Sequence, residues 1–269
     1  MTDQAVETET EAPPETPGEG SSSENTLGVL SRVFGRFAAD PTLLAPFVVV
    51  GFVIALIDEL RRRDPLPARS TAGPPGEFEI SVDLFPVPSG IQQTSRTLGG
   101  LIDLQPRLLV YGIGLELLGI VAVSLAGYLT IARVLDADLS ATGAGTYLLY
   151  AFLTVGWTWP FVSLQVDFTG GALLLGIPLL VLWFYVTVRL FVVPAALVDG
   201  DGVLAAVRRS NRAIRGFGWT TVGVVVVLGL AVWASGLLPV GGTVVSFGVG
   251  ASLHAVTVGV VYDLRTTSA

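Results

Sequence analysis

The chain has 269 residues, of which 51% are hydrophobic and 14% are charged, and its mean hydropathy is +0.69. A soluble domain carries about a quarter charged residues, so this balance argues against a soluble globular protein and favours the lipid bilayer. The chain contains no cysteine, which excludes disulfides, thiolate metal sites and cysteine nucleophiles.

The formal charge of −7 lies entirely in the N-terminal segment. Residues 1–26 hold seven acidic residues and no basic one, whereas the other 15 acids are balanced by 15 arginines. This segment is rich in Pro, Glu and Ser and has almost nothing to bury, which predicts a disordered acidic tail over 1–26. It lacks the basic start and the apolar stretch of a signal peptide. An acidic tail and the complete absence of lysine are together typical of extremely halophilic archaea.

Helical periodicity begins directly after the tail. Val29, Val33 and Phe37 share one stripe, which predicts an amphipathic helix over 27–39. Long uncharged runs follow, and each membrane span needs about 20 apolar residues. The 47-residue run over 216–262 is too long for one span, and "GLLPVGG" divides it.

The sequence therefore predicts an all-α, polytopic six-helix transmembrane bundle over residues 27–265. Its spans are expected at about 42–58, 107–132, 144–166, 171–197, 216–237 and 241–262. More arginines border the connections on the side of the two termini than on the other side, eight against six. By the positive-inside rule, both termini are expected in the cytoplasm of a multi-pass cell-membrane protein.

A long extracytoplasmic loop over 58–106 is expected between the first two spans. Within it, "EFEISVDL" at 77–84 alternates apolar and polar residues, which predicts a half-buried strand. A lone strand needs a partner, which could lie in the same loop or in a second copy across a dimer.

Two features of the spans concern packing. Pro160 and Pro178 are expected to kink the third and fourth spans. In the last span Ala251, Ala255 and Gly259 form a stripe of small residues four apart, suited to close helix packing within the chain or across a homo-oligomer.

A second amphipathic helix is predicted over 202–215. Its arginines lie on one face and its apolar residues on the other, and Asp201 is expected to cap its N-terminus. The arginines are Arg208, Arg209, Arg212 and Arg215. Such a helix between two spans is typical of the membrane interface, where it would contact anionic headgroups. Nucleic-acid binding is excluded, because it needs a net basic domain with accessible aromatic residues.

Residues 189–219 resemble the membrane domain that is associated with glycerophosphodiester phosphodiesterases. They also resemble related multi-pass proteins of halophilic archaea. Their sequence is "RLFVVPAALVDGDGVLAAVRRSNRAIRGFGW". The shared pattern is Arg189 inside a span, then Pro194, an acid at Asp199, the arginine-rich helix and a span starting near Trp219. The catalytic barrel of those enzymes, with its histidine pair and carboxylates, is absent. The resemblance therefore implies a membrane domain without the enzyme.

Three ionisable residues lie within predicted spans, namely Glu116, Arg189 and His254. On a lipid-facing surface each would cost several kcal/mol, so all three are expected to face the bundle interior and to find partners. They could form a proton- or substrate-coupled pathway. Alternatively, they could form a structural polar cluster, with Arg189 extending to the interface.

The spans and connections lack the motifs of known catalytic and nucleotide sites, and the chain has a single histidine. No enzyme activity, cofactor or metal is therefore expected. The leading hypothesis is a non-catalytic integral membrane protein that organises lipid or partner proteins at the cell membrane. The alternative is a transporter or permease-like protein with a polar path through the bundle.

Overall fold

The computed structural model describes residues 25–66, 68–70, 86–96, 104–163, 172–236, 238 and 241–267. Residues 1–24 of the predicted tail and the predicted strand over 77–84 lie outside these ranges. The helices are α1 (Thr26–Ala39), α2 (Ala45–Arg63), α3 (Pro106–Val134), α4 (Ala141–Ser163), α5 (Ala172–Leu190), α6 (Val193–Val198), α7 (Val203–Ala213), α8 (Gly218–Gly236), α9 (Gly242–Val245) and α10 (Ser252–Thr267). A 3₁₀ turn over Pro41–Leu44 leads into α2, and a π-helical segment over Ser246–Ala251 joins α9 to α10.

Five helical stretches in the described part of the chain are long and apolar enough to cross a membrane. They are Pro41–Arg63, Pro106–Val134, Val181–Val198, Gly218–Ser235 and Gly242–Thr267. The prediction of an all-α chain with several such helices is thus confirmed. The 23-residue helix α4 covers most of the predicted third span, and Pro178 lies inside α5.

Local sequence explains where α1 begins and ends. The Asn25 side chain accepts a hydrogen bond from the backbone N–H of Gly28 at 2.9 Å and so caps the N-terminus. Val29 and Val33 lie one turn apart and are fully buried. Asp40 precedes Pro41, and a residue before proline disfavours the helical conformation, so α1 stops there.

Helix α10 is the central helix of the bundle, because every residue from Ser252 to Tyr262 is buried. Ala251 and Ala255 of the small-residue stripe are completely buried within the chain. A Cβ added to Gly259 would lie 2.6 Å from Cγ1 of Val134 on α3. The stripe therefore serves close packing of α10 inside one chain, the first of the two interpretations of the sequence.

Two short strands lie in the long connection between α2 and α3. β1 (Arg69–Ser70) pairs antiparallel with β2 (Thr94–Ser95). The connection thus contains a strand pair formed within the same loop, although neither strand is the one that alternation predicts.

Two glycines define the limits of α7. Gly200, before the helix, has φ 98° and Gly216, after it, has φ 78°, a region that residues with a Cβ rarely adopt. The helix therefore runs only between these turns. The connection from α5 to α7 also breaks at Phe191–Val192, so the predicted span over 171–197 consists of two helices, α5 and α6.

We predict that Gly259→Val destabilises the protein by about 1–3 kcal/mol, because the added carbons overlap Val134 in the bundle core. The matched control is Gly114→Val on α3, where an added Cβ meets nothing within 4 Å. Thermal unfolding in detergent, followed by tryptophan fluorescence, measures both variants. Equal midpoints for the two variants would contradict the close approach of α10 to α3.

Candidate functional site

The ion pairs among the described residues lie at the two ends of the bundle. At one end α2 finishes and α3 begins, and we call this the Arg61 end. At the other end, α1 meets the start of α2 and α7 meets the end of α10. Arg133 Nε donates to Asp40 Oδ2 at 3.0 Å and ties the end of α3 to the start of α2 there. We call this second end the α7 end.

A buried arginine organises the Arg61 end. Arg61 lies in the last turn of α2 and its side chain is only 1% exposed. Its Nη2 lies 2.7 Å from Glu116 Oε2 on α3. Its Nη1 donates to the Thr94 carbonyl oxygen at 2.8 Å and to Gln92 Oε1 at 3.1 Å. The guanidinium therefore joins two helices and the loop between them.

Asp58, one turn before Arg61, holds the same loop through its carboxylate. It accepts hydrogen bonds from the backbone N–H groups of Gln93 and Thr94, both at 3.1 Å, and from the Thr94 hydroxyl at 2.6 Å. The Thr243 hydroxyl on α9 also donates to it at 3.2 Å. Four donors thus converge on one carboxylate that is almost fully buried.

We call residues 86–96 the strap and Asp58, Arg61, Thr94, Glu116 and Thr243 the Arg61 cluster. The strap packs into the Arg61 end, with Val87 buried. The Ile91 backbone N–H donates to Ser246 Oγ in the π-helical segment at 2.8 Å. A Cβ on Gly90 would lie 2.8 Å from the backbone nitrogen of Phe247, so only glycine fits this approach. Arg96 also pairs with Asp64, just beyond the end of α2.

The structure does not bring Glu116, Arg189 and His254 together. Glu116 contacts Arg61, a residue that the sequence placed in the outer loop. Arg189 lies at the end of α5, where its Nη1 donates to Asn211 Oδ1 on α7 at 2.8 Å. The three residues thus have three separate sets of partners.

Arg189 belongs to the α7 end rather than to the bundle interior. Its backbone carbonyl accepts a hydrogen bond from Ser210 Oγ of α7 at 2.6 Å, and its guanidinium lies 5.2 Å from the ring centroid of Tyr185. Together with the Asn211 contact, these interactions join the end of α5 to α7. Arg189 therefore lies apart from Glu116 and His254, at the end of α5.

His254 lies within the core. Its ring stacks on Phe191 with centroids 5.5 Å apart and an interplanar angle of 10°. Its Nε2 has no hydrogen-bond partner within the described part of the chain. No group of three potential metal ligands occurs in that part of the chain.

The four arginines of the predicted helix over 202–215 have different environments. Arg209 Nη1 donates to Asp199 Oδ2 at 2.8 Å and to Asp201 Oδ2 at 3.1 Å. The Tyr262 hydroxyl of α10 donates to Asp199 as well. Burial alone would lower the pKa of Arg209, but Tyr262 and the two carboxylates outweigh it and the pKa lies above its ordinary value. Arg209 therefore fastens α7 to α10 as a charged group.

The prediction that Asp201 caps α7 is wrong. The residue at the cap is Gly202, which offers no side chain for capping. Asp201 accepts from Arg209 instead, because the "DGDG" turn directs its carboxylate toward the second turn of the helix. A second arginine, Arg265, donates through Nε to the Ala213 carbonyl at 2.9 Å and so closes the C-terminal end of α7.

The remaining three arginines, Arg208, Arg212 and Arg215, are exposed, and we call them the arginine face. Within the described part of the chain none of them has a carboxylate partner. Large apolar side chains are exposed on the same segment, with Leu204 74% exposed and Trp219 89% exposed. Exposed arginines beside an exposed tryptophan are the pattern of the membrane–water interface.

No family model, no curated protein and no solved structure matches the chain. The resemblance to the phosphodiesterase-associated membrane domain therefore rests on the residues quoted above.

Sequence reasoning missed Asp58 and Arg61, because "DELRRR" reads as the polar flank of a span. The signal that could have found them is their spacing. Asp58 and Arg61 continue the stripe of Ile54 and Ile57, which are both buried.

We predict that Arg61→Met lowers the free energy of unfolding by about 3–5 kcal/mol, since it leaves Asp58 and Glu116 without their cation. The matched control is Arg62→Met, whose side chain is 47% exposed and pairs with Glu59 and Gln93 at the surface. There the expected loss is about 1 kcal/mol or less. The free energy of unfolding of each variant is measured by denaturant titration in detergent. A similar loss of stability in both variants would contradict the structural role of Arg61.

Proposed function

We propose that the protein is a multi-pass integral membrane protein with six crossings. The five long apolar helices support this proposal, and α4 would supply the third crossing. Residues 139–166, which include α4, contain no charged side chain. At 1.5 Å per residue the 29 residues of α3 extend about 43 Å, which exceeds a hydrocarbon core of about 30 Å.

The proposed orientation puts the α7 end in the cytoplasm. Both α1 and the C-terminal part of α10 lie at this end, so an even number of crossings returns the chain to its starting side. The arginine count on this side agrees with the positive-inside rule.

For the molecular role, we propose a non-catalytic protein that organises lipid or partner proteins at the cytoplasmic face of the cell membrane. The observation that carries this proposal is the arginine face next to exposed Trp219 and Leu204. Arginines near an anionic membrane surface gain about 1 kcal/mol each, and the apolar side chains would enter the headgroup boundary. Arg209 and Arg265 hold α7 against the bundle, so this surface is presented on a fixed helix.

The same proposal accommodates the resemblance to the membrane domain of glycerophosphodiester phosphodiesterases. A membrane domain of this kind would contain the arginine-rich helix and the spans on either side of it. Anionic phosphodiester headgroups are then the expected lipid class, because guanidinium groups bind phosphate oxygens well.

The alternative of a transporter needs a polar path through the bundle. Glu116, Arg189 and His254 were its proposed lining, and they have separate partners. Half-buried Glu116 instead pairs with buried Arg61, which also holds the strap. This arrangement favours a structural role for the charges, so we rank the transporter second.

We predict that single cysteines at Pro65 and Ala205 label from opposite sides of a sealed membrane. Both residues are exposed, one at the Arg61 end and the other on α7, and the native chain has no cysteine that would interfere. Leu139→Cys and Gln165→Cys test the crossing of α4, since they lie at the two ends of its uncharged run. Labelling by a membrane-impermeant thiol reagent in right-side-out and in inverted vesicles shows on which side of the membrane each cysteine lies. If Leu139→Cys and Gln165→Cys label from the same side, six crossings are excluded.

We predict that Arg212→Gln combined with Arg215→Gln weakens the retention of anionic lipid by about tenfold, because two exposed cations are lost from the interface. Native mass spectrometry of protein released from nanodiscs with phosphatidylglycerol counts the retained lipids. The matched control is Arg62→Gln combined with Arg63→Gln at the Arg61 end, where both arginines already pair with Glu59. Equal retention by the two double variants would contradict the proposed role of the arginine face.

A further inference from the structure

The charge of the chain is unevenly distributed between its N-terminal segment and the arginine face. Residues 1–24 carry seven carboxylates and no basic side chain. The arginine face carries three exposed guanidinium groups, two on α7 and one just beyond its end, which have no carboxylate partner in the described part of the chain. The acidic segment and the arginine face are thus complementary in charge.

The acidic segment directly precedes α1, whose first residues lie against α8. It joins α1 at Asn25, and Thr26 Oγ1 donates to the Thr220 carbonyl in the first turn of α8 at 3.5 Å. A Cβ on Gly223 would lie 2.5 Å from Thr26 Oγ1, so the start of α1 lies directly against α8. Arg215 is only five residues before Thr220 in the chain.

The length of the segment is larger than that of α7. A flexible chain of 24 residues has an end-to-end distance of about 27 Å, whereas the 11 residues of α7 extend about 16 Å. A tethered segment of this length is present at an effective concentration in the millimolar range. Even weak contacts between exposed charges are then populated at low ionic strength.

We propose that residues 1–24 dock on the arginine face and compete there with anionic lipid headgroups. Each carboxylate that pairs with Arg208, Arg212 or Arg215 removes a cation from the membrane-facing surface. The acidic segment thereby acts as a built-in competitor that is released when the density of anionic headgroups or the ionic strength rises. Docking of the segment does not depend on the proposed function, whereas its competition with lipid rests on that function.

Docking is tested by a distance measurement on the full chain. Spin labels are attached to Thr16→Cys and Ala205→Cys, which leave all seven acids and all three arginines in place. Pulsed electron paramagnetic resonance is recorded in nanodiscs made only of zwitterionic lipid at low salt. We expect a short-distance population that disappears at about 1 M salt, where the Debye length is about 3 Å.

The decisive variant for docking is Arg212→Gln combined with Arg215→Gln. It should lose the short-distance population, whereas Arg62→Gln combined with Arg63→Gln should retain it. A distance distribution that is the same in both double variants would overturn docking.

Competition is tested by replacing the seven acids of residues 1–24 with their amides and measuring phosphatidylglycerol retention. We expect retention to rise by about threefold or more at low salt, and to become equal to that of the native chain at about 1 M salt. Unchanged retention at low salt would overturn competition, although the proposed function stands if the Arg212 and Arg215 variant still loses lipid. If that variant keeps its lipid while the spin labels report docking, the proposed function fails and docking stands.

Discussion

The guanidinium of Arg61 is the interaction on which the Arg61 end of the bundle depends. A charge that is 1% exposed is stable only with close counter-charges and hydrogen bonds. Asp58, Glu116 and the Thr94 carbonyl supply them, and each comes from a different part of the chain. The requirement to satisfy one side chain therefore joins α2, α3 and the strap. Asp58 extends the same network to α9 through the Thr243 hydroxyl.

This network explains how a non-helical segment can pack into an apolar bundle. Backbone N–H groups without partners are costly in such surroundings, and irregular backbone is tolerated where protein groups satisfy it. Asp58 accepts from two successive N–H groups of the strap, and Ser246 accepts from that of Ile91. The π-helical segment provides the Ser246 hydroxyl, which fits the frequent use of such segments at specialised positions.

At the α7 end, the same residue type has two different tasks. Arg209 donates to carboxylates and Arg265 donates to a helix carbonyl of the same chain, and these hydrogen bonds fix α7 in position. Arg208 and Arg212 remain exposed on the helix that these contacts hold, and Arg215 is exposed two residues beyond its end. The division follows from position, because the neighbours of Arg209 are the "DGDG" acids and Tyr262 of α10. Sequence alone assigned all four arginines of the helix to one surface.

The sequence by itself determined the class of the protein, the places of most helices and the charge asymmetry of its N-terminal segment. These features depend on composition and on periodicity within about 20 residues, which are local properties. Tertiary structure alone decided which charges meet. Arg61 and Glu116 are 55 positions apart in the chain, and their contact arises from the packing of α2 on α3. The same holds for Gly259 against Val134 and for Arg209 with Tyr262, because side-chain partners across helices depend on helix crossing and rotation, which hydrophobic pattern does not encode.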